Sequence, residues 1–69
     1  MEREPVSSTI VTSIGYDERS ALLEVEFASG AIYRYFDVPE RVYRDLIAAA
    51  SVGKAMTSEI IGKFQYSRI

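Results

Sequence analysis

Two tyrosines separated by a single residue, Tyr33 and Tyr35, are the side chains of this sequence best suited to hold a ligand. On an open sheet face, adjacent aromatic rings can stack on successive nucleic-acid bases, and each stack is worth about 1–3 kcal/mol. On a face that packs beneath a helix, the same rings belong to the hydrophobic core and their hydroxyls reach polar partners at its rim. The strand pairing described below favours the core and leaves the stacking interpretation open.

Basic side chains are the second feature relevant to a nucleic-acid ligand, because Lys and Arg neutralise phosphates. The formal net charge of -2 argues against strong non-specific binding but leaves room for a local basic patch. Arg41 and Arg44 each pair with an acidic residue four positions away, so we interpret them as part of a solvated helix face. The candidate nucleic-acid-binding residues are therefore Arg34, Lys54, Lys63, Arg68, Tyr33 and Tyr35.

The spacing of polar residues is not typical of an enzyme. The chain has no Cys and no His, and so lacks a thiol nucleophile, the commonest zinc ligands and the commonest general base. Glu24 and Glu26 share one face of a predicted strand, where Glu24 is opposite Arg34. We interpret these carboxylates as a solvated surface and not as a catalytic pair. The sequence thus predicts a non-enzymatic protein without a metal or a cofactor.

The length of 69 residues limits the chain to one domain. A domain of this size buries only about 60% of the surface of its unfolded chain, and without Cys it cannot add a disulfide. Self-association is the remaining way to gain stability. No run of roughly 18 apolar residues is present, and the charged N-terminus lacks the apolar segment of a secretory signal. We expect a cytoplasmic protein in which residues 1–7 are a flexible N-terminus and residues 8–69 form the domain.

The first predicted strand covers residues 8–16, which are rich in β-branched side chains and alternate in polarity. We expect a bulge or a change of twist at Gly15. One face of the strand is predicted to carry the even-numbered residues Ile10, Thr12, Ile14 and Tyr16.

A β-hairpin over residues 22–37 is predicted to organise the fold. A three-residue loop with Gly30 in the left-handed conformation pairs Val25 with Tyr33 and Glu24 with Arg34. A two-residue loop would move both tyrosines to the glutamate face, so we prefer the three-residue register. The opposite face then collects the apolar residues of a predicted homodimer interface, Leu22, Ile32 and Phe36.

A helix over residues 39–51 follows the hairpin, with Pro39 in its first turn and either Asp37 or Val38 as its cap. An apolar stripe at helical spacing supports this element. Gly53 is expected to be its left-handed C-terminal cap.

A second, shorter helix is predicted to begin at Thr57 or Ser58. The predicted fold is therefore α+β: a three-stranded antiparallel sheet followed by two helices, in the order β-β-β-α-α.

Nearly the whole sequence resembles the KTSC domain, a family of short domains named after the C-terminus of some lysyl-tRNA synthetases and also found as stand-alone bacterial proteins. The order and spacing of several segments carry the resemblance, among them Ile14-Gly15-Tyr16-Asp17, Tyr33-x-Tyr35, Val38-Pro39, Val42-Tyr43 and Gly53-Lys54. The sequence departs from the family pattern at Ala55 and Met56, where we expect aromatic residues. The resemblance implies RNA binding through the association with the synthetases.

Two hypotheses about function follow. The first is a small binding module that binds RNA or single-stranded nucleic acid weakly. The second is a protein–protein interaction or homodimerisation module, without nucleic-acid binding, that acts through the face of Leu22, Ile32 and Phe36.

Overall fold

The computed structural model describes residues 1–69 and contains one five-stranded antiparallel sheet, with two more strands than the sequence predicted. The strands follow one another in space in their chain order, β1 to β5. Their bounds are Glu4–Pro5 (β1), Val11–Asp17 (β2), Leu22–Phe27 (β3), Ile32–Tyr35 (β4) and Tyr66–Arg68 (β5). The helices are Glu40–Ala48 (α1) and Val52–Ala55 (α2), and α2 continues directly into a π-helical turn, Met56–Ile60. The expected α+β class is confirmed, and the three-strand count is wrong.

The two additional strands form the edges of the sheet. Residues Glu4–Pro5 lie within the segment expected to be a flexible N-terminus and pair with β2, with Glu4 opposite Ile14. Strand β5 pairs with β4, with Tyr66 opposite Tyr35. Strands of two and three residues are too short to show a period of two, so their pairing depends on the sheet that they join and not on local pattern.

The central hairpin has the predicted three-residue register. Val25 pairs with Tyr33 and Glu24 with Arg34. Gly30 closes the loop with a φ of 93°, in the left-handed region that favours glycine. Alternation of apolar and charged residues therefore predicted this part of the sheet correctly.

Strand β2 differs from its predicted pattern because its pairing with β3 shifts between Val11 and Ser13. This bulge brings Val11 and Ile14 to the same covered face, although an unbroken strand would place them on opposite faces. Ile10 is consequently 42% exposed and Thr12 is also exposed, so the predicted single face from residue 10 to residue 16 is wrong.

Gly15 has a role other than the predicted bulge. The N-terminal segment passes directly over it, and a Cβ at this position would lie 2.5 Å from the main-chain oxygen of Glu2. Glycine is required because backbone approaches backbone.

Helix α1 ends at Ala48, earlier than predicted, and Gly53 does not cap it. Ser51 instead begins α2, because its Oγ accepts a hydrogen bond from the main-chain N–H of Lys54 at 3.3 Å. Gly53 consequently lies in the first turn of α2, and the predicted helix start at Thr57 or Ser58 falls inside the π-helical turn. The predicted caps of α1 are also replaced, since Pro39 is the capping residue and makes no side-chain hydrogen bond.

The helices cover one face of the sheet. The core consists of apolar side chains from the sheet, the α1 region, α2 and the π-helical turn: Val11, Ile14, Leu23, Val25, Tyr35, Val38, Leu46, Val52, Met56 and Ile60. At its rim, Tyr16 stacks on Tyr43 with ring centroids 4.7 Å apart and donates a hydrogen bond to the carbonyl of Val38 at 2.6 Å. No helix has the length and apolar character needed to span a membrane.

Candidate nucleic-acid interface

Tyr33 and Tyr35 lie in different environments. Tyr35 is 3% exposed and belongs to the core, and burial raises the pKa of its hydroxyl, with a smaller contribution from Tyr33 and Tyr66. Tyr33 is half-buried on the same face. The core interpretation is therefore correct for Tyr35, which cannot stack on a base, whereas Tyr33 remains accessible.

An open groove of about 570 Å³ runs past Tyr33, beyond the part of the sheet that the helices cover. Four aromatic residues line it, of which Tyr35 is buried and Phe27, Tyr33 and Tyr66 form the accessible wall, and the exposed side chains of Ile10 and Ile61 form its apolar rim. Cavities of this size are typical of sites for small ligands or parts of larger ones. The groove is therefore a candidate site for a flat, apolar group.

The rings of the groove form a connected row. Tyr33 and Tyr66 are stacked, with centroids 5.3 Å apart and planes 26° apart. Phe27 meets Tyr33 edge to face at 5.5 Å. Tyr66 is 59% exposed, so the outer side of the row is free to stack. The accessible aromatic pair is thus Tyr33 with Tyr66 and not the predicted Tyr33 with Tyr35.

Tyr66 was missed because the last five residues show no decisive pattern. The available signal was the spacing of Tyr66 and Arg68 on either side of Ser67, which places both on one face of a strand. Three residues are too few to identify a strand from this pattern.

One of the predicted basic residues lies beside the aromatic row. Arg68 is opposite Tyr33 in the β4–β5 pair, and residues opposite each other in an antiparallel pair share a face of the sheet. Arg68 is exposed. Lys63 is also exposed, and it directly follows Gly62, which lines the groove. The structure therefore brings two basic side chains to the same end of the molecule as the accessible rings.

Lys54 lines a second groove, of about 480 Å³, which shares Thr9 and Ile10 with the first. Its other lining residues are mostly hydroxylic, and among them Thr57 donates a hydrogen bond to the carbonyl of Gly53 at 3.2 Å. A Cβ on Gly53 would lie 3.0 Å from Cγ1 of Ile10, so the absence of a side chain at Gly53 allows Ile10 to pack closely against α2.

Arg34 lies on the other face of the sheet, which we call the open face because no helix covers it. Its Nε donates a hydrogen bond to Oε1 of Glu24 at 2.9 Å. Arg3 binds the other carboxylate oxygen of Glu24. The structure thus separates Arg34 from the other candidate residues and neutralises its charge.

The carboxylate of Glu24 is buried, at 3% exposure, which corrects the predicted solvated face. Burial acts to raise its pKa, but the hydrogen bonds from Arg34 and Arg3 and their charges outweigh burial and hold the pKa below the ordinary value. Glu26 is half-buried beside it and accepts a hydrogen bond from Ser13 at 3.0 Å. No group of three or more acidic side chains converges here or elsewhere to hold a metal ion.

The predicted dimer residues also lie on the open face but do not form one patch. Phe36 is 40% exposed, and Leu22 and Ile32 are half-buried. Arg34 stands between Ile32 and Phe36, which at about 3.3 Å per residue places their Cα atoms roughly 13 Å apart. The arginine–glutamate cluster therefore divides the apolar surface.

Comparison with known proteins gives a consistent match over the chain. The family model described as the KTSC domain matches residues 7–64. The crystal structure of a KTSC domain protein from Yersinia pestis is 40% identical, with a TM-score of 0.97, and the match covers 99% of this chain and 96% of that chain. A protein from Stutzerimonas stutzeri is 46% identical over 54 residues, which are 78% of this chain and 76% of that protein.

A longer relative is also similar. A lysine–tRNA ligase from Nostoc punctiforme is 34% identical over 61 residues, which are 88% of this chain but only 11% of the ligase. The similarity is therefore limited to a small part of that enzyme.

Proposed function

We propose that this chain, which belongs to the KTSC domain family, is a non-enzymatic module that binds RNA or single-stranded nucleic acid weakly through the aromatic groove. The observation that carries the proposal is the stacked pair of Tyr33 and Tyr66. Tyr66 is the outer ring of the pair; it is accessible and lies in the same strand as Arg68. Accessible aromatic rings beside a cation are the combination that single-strand-binding surfaces use.

The shape of the groove favours an unpaired strand. A base can contact Tyr66 only if it leaves the stack of a duplex, since paired bases present their edges and not their planes. The apolar rim of Ile10 and Ile61 would flank a base lying on the ring. Bases would enter the groove, and phosphates would remain outside it near the basic residues.

Weak binding follows from the small number of cations. Arg68, Lys63 and Lys54 are the basic residues near the two grooves, and the chain as a whole has a net charge of -2. Each phosphate contact to a single strand contributes a slope of about 0.7 to the fall of log K with log salt, so about three contacts give a modest slope. The similarity to part of a lysine–tRNA ligase supports RNA as the ligand by analogy.

The proposal is tested by titrating labelled single-stranded RNA with the protein at several salt concentrations. Binding is expected at low salt and should weaken as salt increases. Arg68→Ala should reduce the salt slope by about 0.7. Arg44→Ala removes the same charge from the exposed surface of α1, where Glu40 lies 4.0 Å away, and should leave the slope unchanged. Absence of binding at low salt would contradict the proposal.

A second candidate is a protein-interaction module that uses the open face, and the exposure of Phe36 favours it. Exposed aromatic side chains are enriched where proteins associate. Light scattering behind a sizing column measures this directly. If the face carries self-association, Phe36→Glu should convert a dimer into a monomer. A protein whose mass does not change with this substitution would exclude the face.

A further inference from the structure

Two main-chain hydrogen bonds define how β5 is oriented. The N–H of Phe36 donates to the carbonyl of Gln65, and the N–H of Ile69 donates to the carbonyl of Ile32, both at 2.9 Å. Hydrogen-bonded and non-hydrogen-bonded positions alternate along an antiparallel pair. The odd-numbered residues of this segment therefore direct their main-chain groups toward β4, and the even-numbered residues direct theirs away from the sheet.

The outward-directed residues are Tyr66 and Arg68, both exposed, at the last strand of the sheet. The opposite edge is different, because β1 has two residues and one of them is Pro5, which has no N–H to offer. Proline and short length are devices that prevent pairing at an edge. The sheet therefore has one protected edge and one edge with free donors and acceptors.

We propose that a second copy of this chain pairs with the free edge of β5, antiparallel and about a two-fold axis through Ser67. In this register Tyr66 of each copy is opposite Arg68 of the other. Each such pair exchanges an N–H···O=C bond in both directions, because these are the residues whose main-chain groups point outward. The two sheets would then form one continuous sheet.

The side chains of β5 favour a second copy over an unrelated strand. Tyr66 and the opposing Arg68 lie on the same face, where the guanidinium can cover the tyrosine ring. Ser67 meets its own counterpart at the axis, in a non-hydrogen-bonded position where Cα atoms approach to about 4.5 Å and a small hydroxylic residue fits. The sequence Tyr-Ser-Arg is therefore complementary to itself when reversed.

This assembly does not require nucleic acid, and it differs from the predicted dimer through the open face. Arg68 of the second copy would lie beside Tyr66, add a cation to the groove and compete with a base for the outer side of that ring. The two grooves would adjoin across the axis.

Sedimentation over a series of protein concentrations tests the proposal. A monomer–dimer equilibrium is expected, and Arg68→Glu should weaken it by about fivefold or more, because a carboxylate replaces the cation opposite Tyr66. Adding Tyr66→Arg to Arg68→Glu should restore the dimer, since the introduced arginine then faces the introduced glutamate of the other copy. Phe36→Glu should have no effect. Circular dichroism checks that each variant is folded.

Amide hydrogen exchange gives a second, local measurement on the unmodified protein. Exchange at Tyr66 and Arg68 should slow as protein concentration rises, because their N–H groups become bonded in the dimer. Exchange at Ser29, in the exposed hairpin loop, should not change with concentration. A monomer at every concentration, or a dimer that Phe36→Glu dissociates and Arg68→Glu does not, would overturn the proposal. These measurements contain no RNA, so their failure would leave the nucleic-acid proposal standing.

Discussion

Arg34 and Glu24 face each other across neighbouring strands, with the guanidinium Nε 2.9 Å from a carboxylate oxygen. Arg3 reaches the same carboxylate from the N-terminal segment. One buried acid therefore connects β3, β4 and the residues that lead into β1. Charge-assisted hydrogen bonds in this cluster hold the N-terminal segment and β4 to β3 on the open face, where few apolar contacts are available.

Glu24→Gln should lower the free energy of unfolding by about 1–3 kcal/mol, because it removes the charge that two arginines share in a buried position. Urea denaturation monitored by circular dichroism measures the change. The matched control is Glu26→Gln, where the carboxylate is half-exposed and lies 3.9 Å from Arg3. This control should cost less than about 1 kcal/mol, as expected for a partly solvated pair. Equal losses for the two variants would show that burial of Glu24 does not strengthen its interactions.

The stability of the protein should fall in acid partly because of Glu24. The pKa of this carboxyl is held below its ordinary value in the folded state, so the unfolded chain binds the proton more readily. The contribution is complete above the unfolded pKa of about 4.3 and is lost as the pH falls through the folded pKa. Urea denaturation between neutral pH and acid should therefore show a shallower decline for Glu24→Gln than for the unmodified protein. Parallel curves would mean that other carboxylates account for all of the acid sensitivity.

Tyr66→Ala should weaken RNA binding by about 5- to 150-fold, which corresponds to the 1–3 kcal/mol typical of one base stack. Fluorescence anisotropy with labelled single-stranded RNA at low salt measures this loss. Tyr66→Phe keeps the ring and should retain most of the affinity. Tyr43→Phe removes a hydroxyl from a ring that stacks on Tyr16 away from the groove and should not affect binding. If Tyr66→Ala binds as well as the unmodified protein, the groove is not where bases stack.

Gly15→Ala should destabilise the protein by about 1–3 kcal/mol, because the added Cβ would lie 2.5 Å from the main-chain oxygen of Glu2 and must displace the N-terminal segment. Gly30→Ala is the useful comparison, since nothing lies within 4 Å of a Cβ there and only the positive φ opposes the substitution. Its cost should be about 1 kcal/mol. Thermal denaturation of both variants measures the difference, and a neutral Gly15→Ala would show that the N-terminal segment is not held against β2.

The central hairpin could be predicted from sequence because Leu23, Val25 and Tyr33 repeat with the period of a half-buried strand. The shift in β2 could not, because the pattern of Ile10, Thr12 and Ile14 is equally consistent with an unbroken strand. A bulge is stabilised by packing against the helices, which a local pattern does not record.

The candidate site was predicted only in part, for a related reason. Residue type identifies Tyr33 and Arg68, but their grouping depends on β5, a strand too short for its pattern to be recognised. Glu24 was interpreted as solvated because charge on a strand normally faces water. Its burial requires Arg3, a residue 21 positions away in the chain.

The sequential order of the strands has a consequence for how the molecule folds. Strands β1 to β4 each pair with a neighbour across a short connection, whereas β5 returns to β4 only after both helices. Closing the longer loop costs more chain entropy and gains only three residues of pairing. We therefore expect β5 to join the sheet last and to open first, so that the aromatic row assembles at the end of folding. Native-state exchange at the Ser67 amide that is as slow as at Val25 would contradict this order.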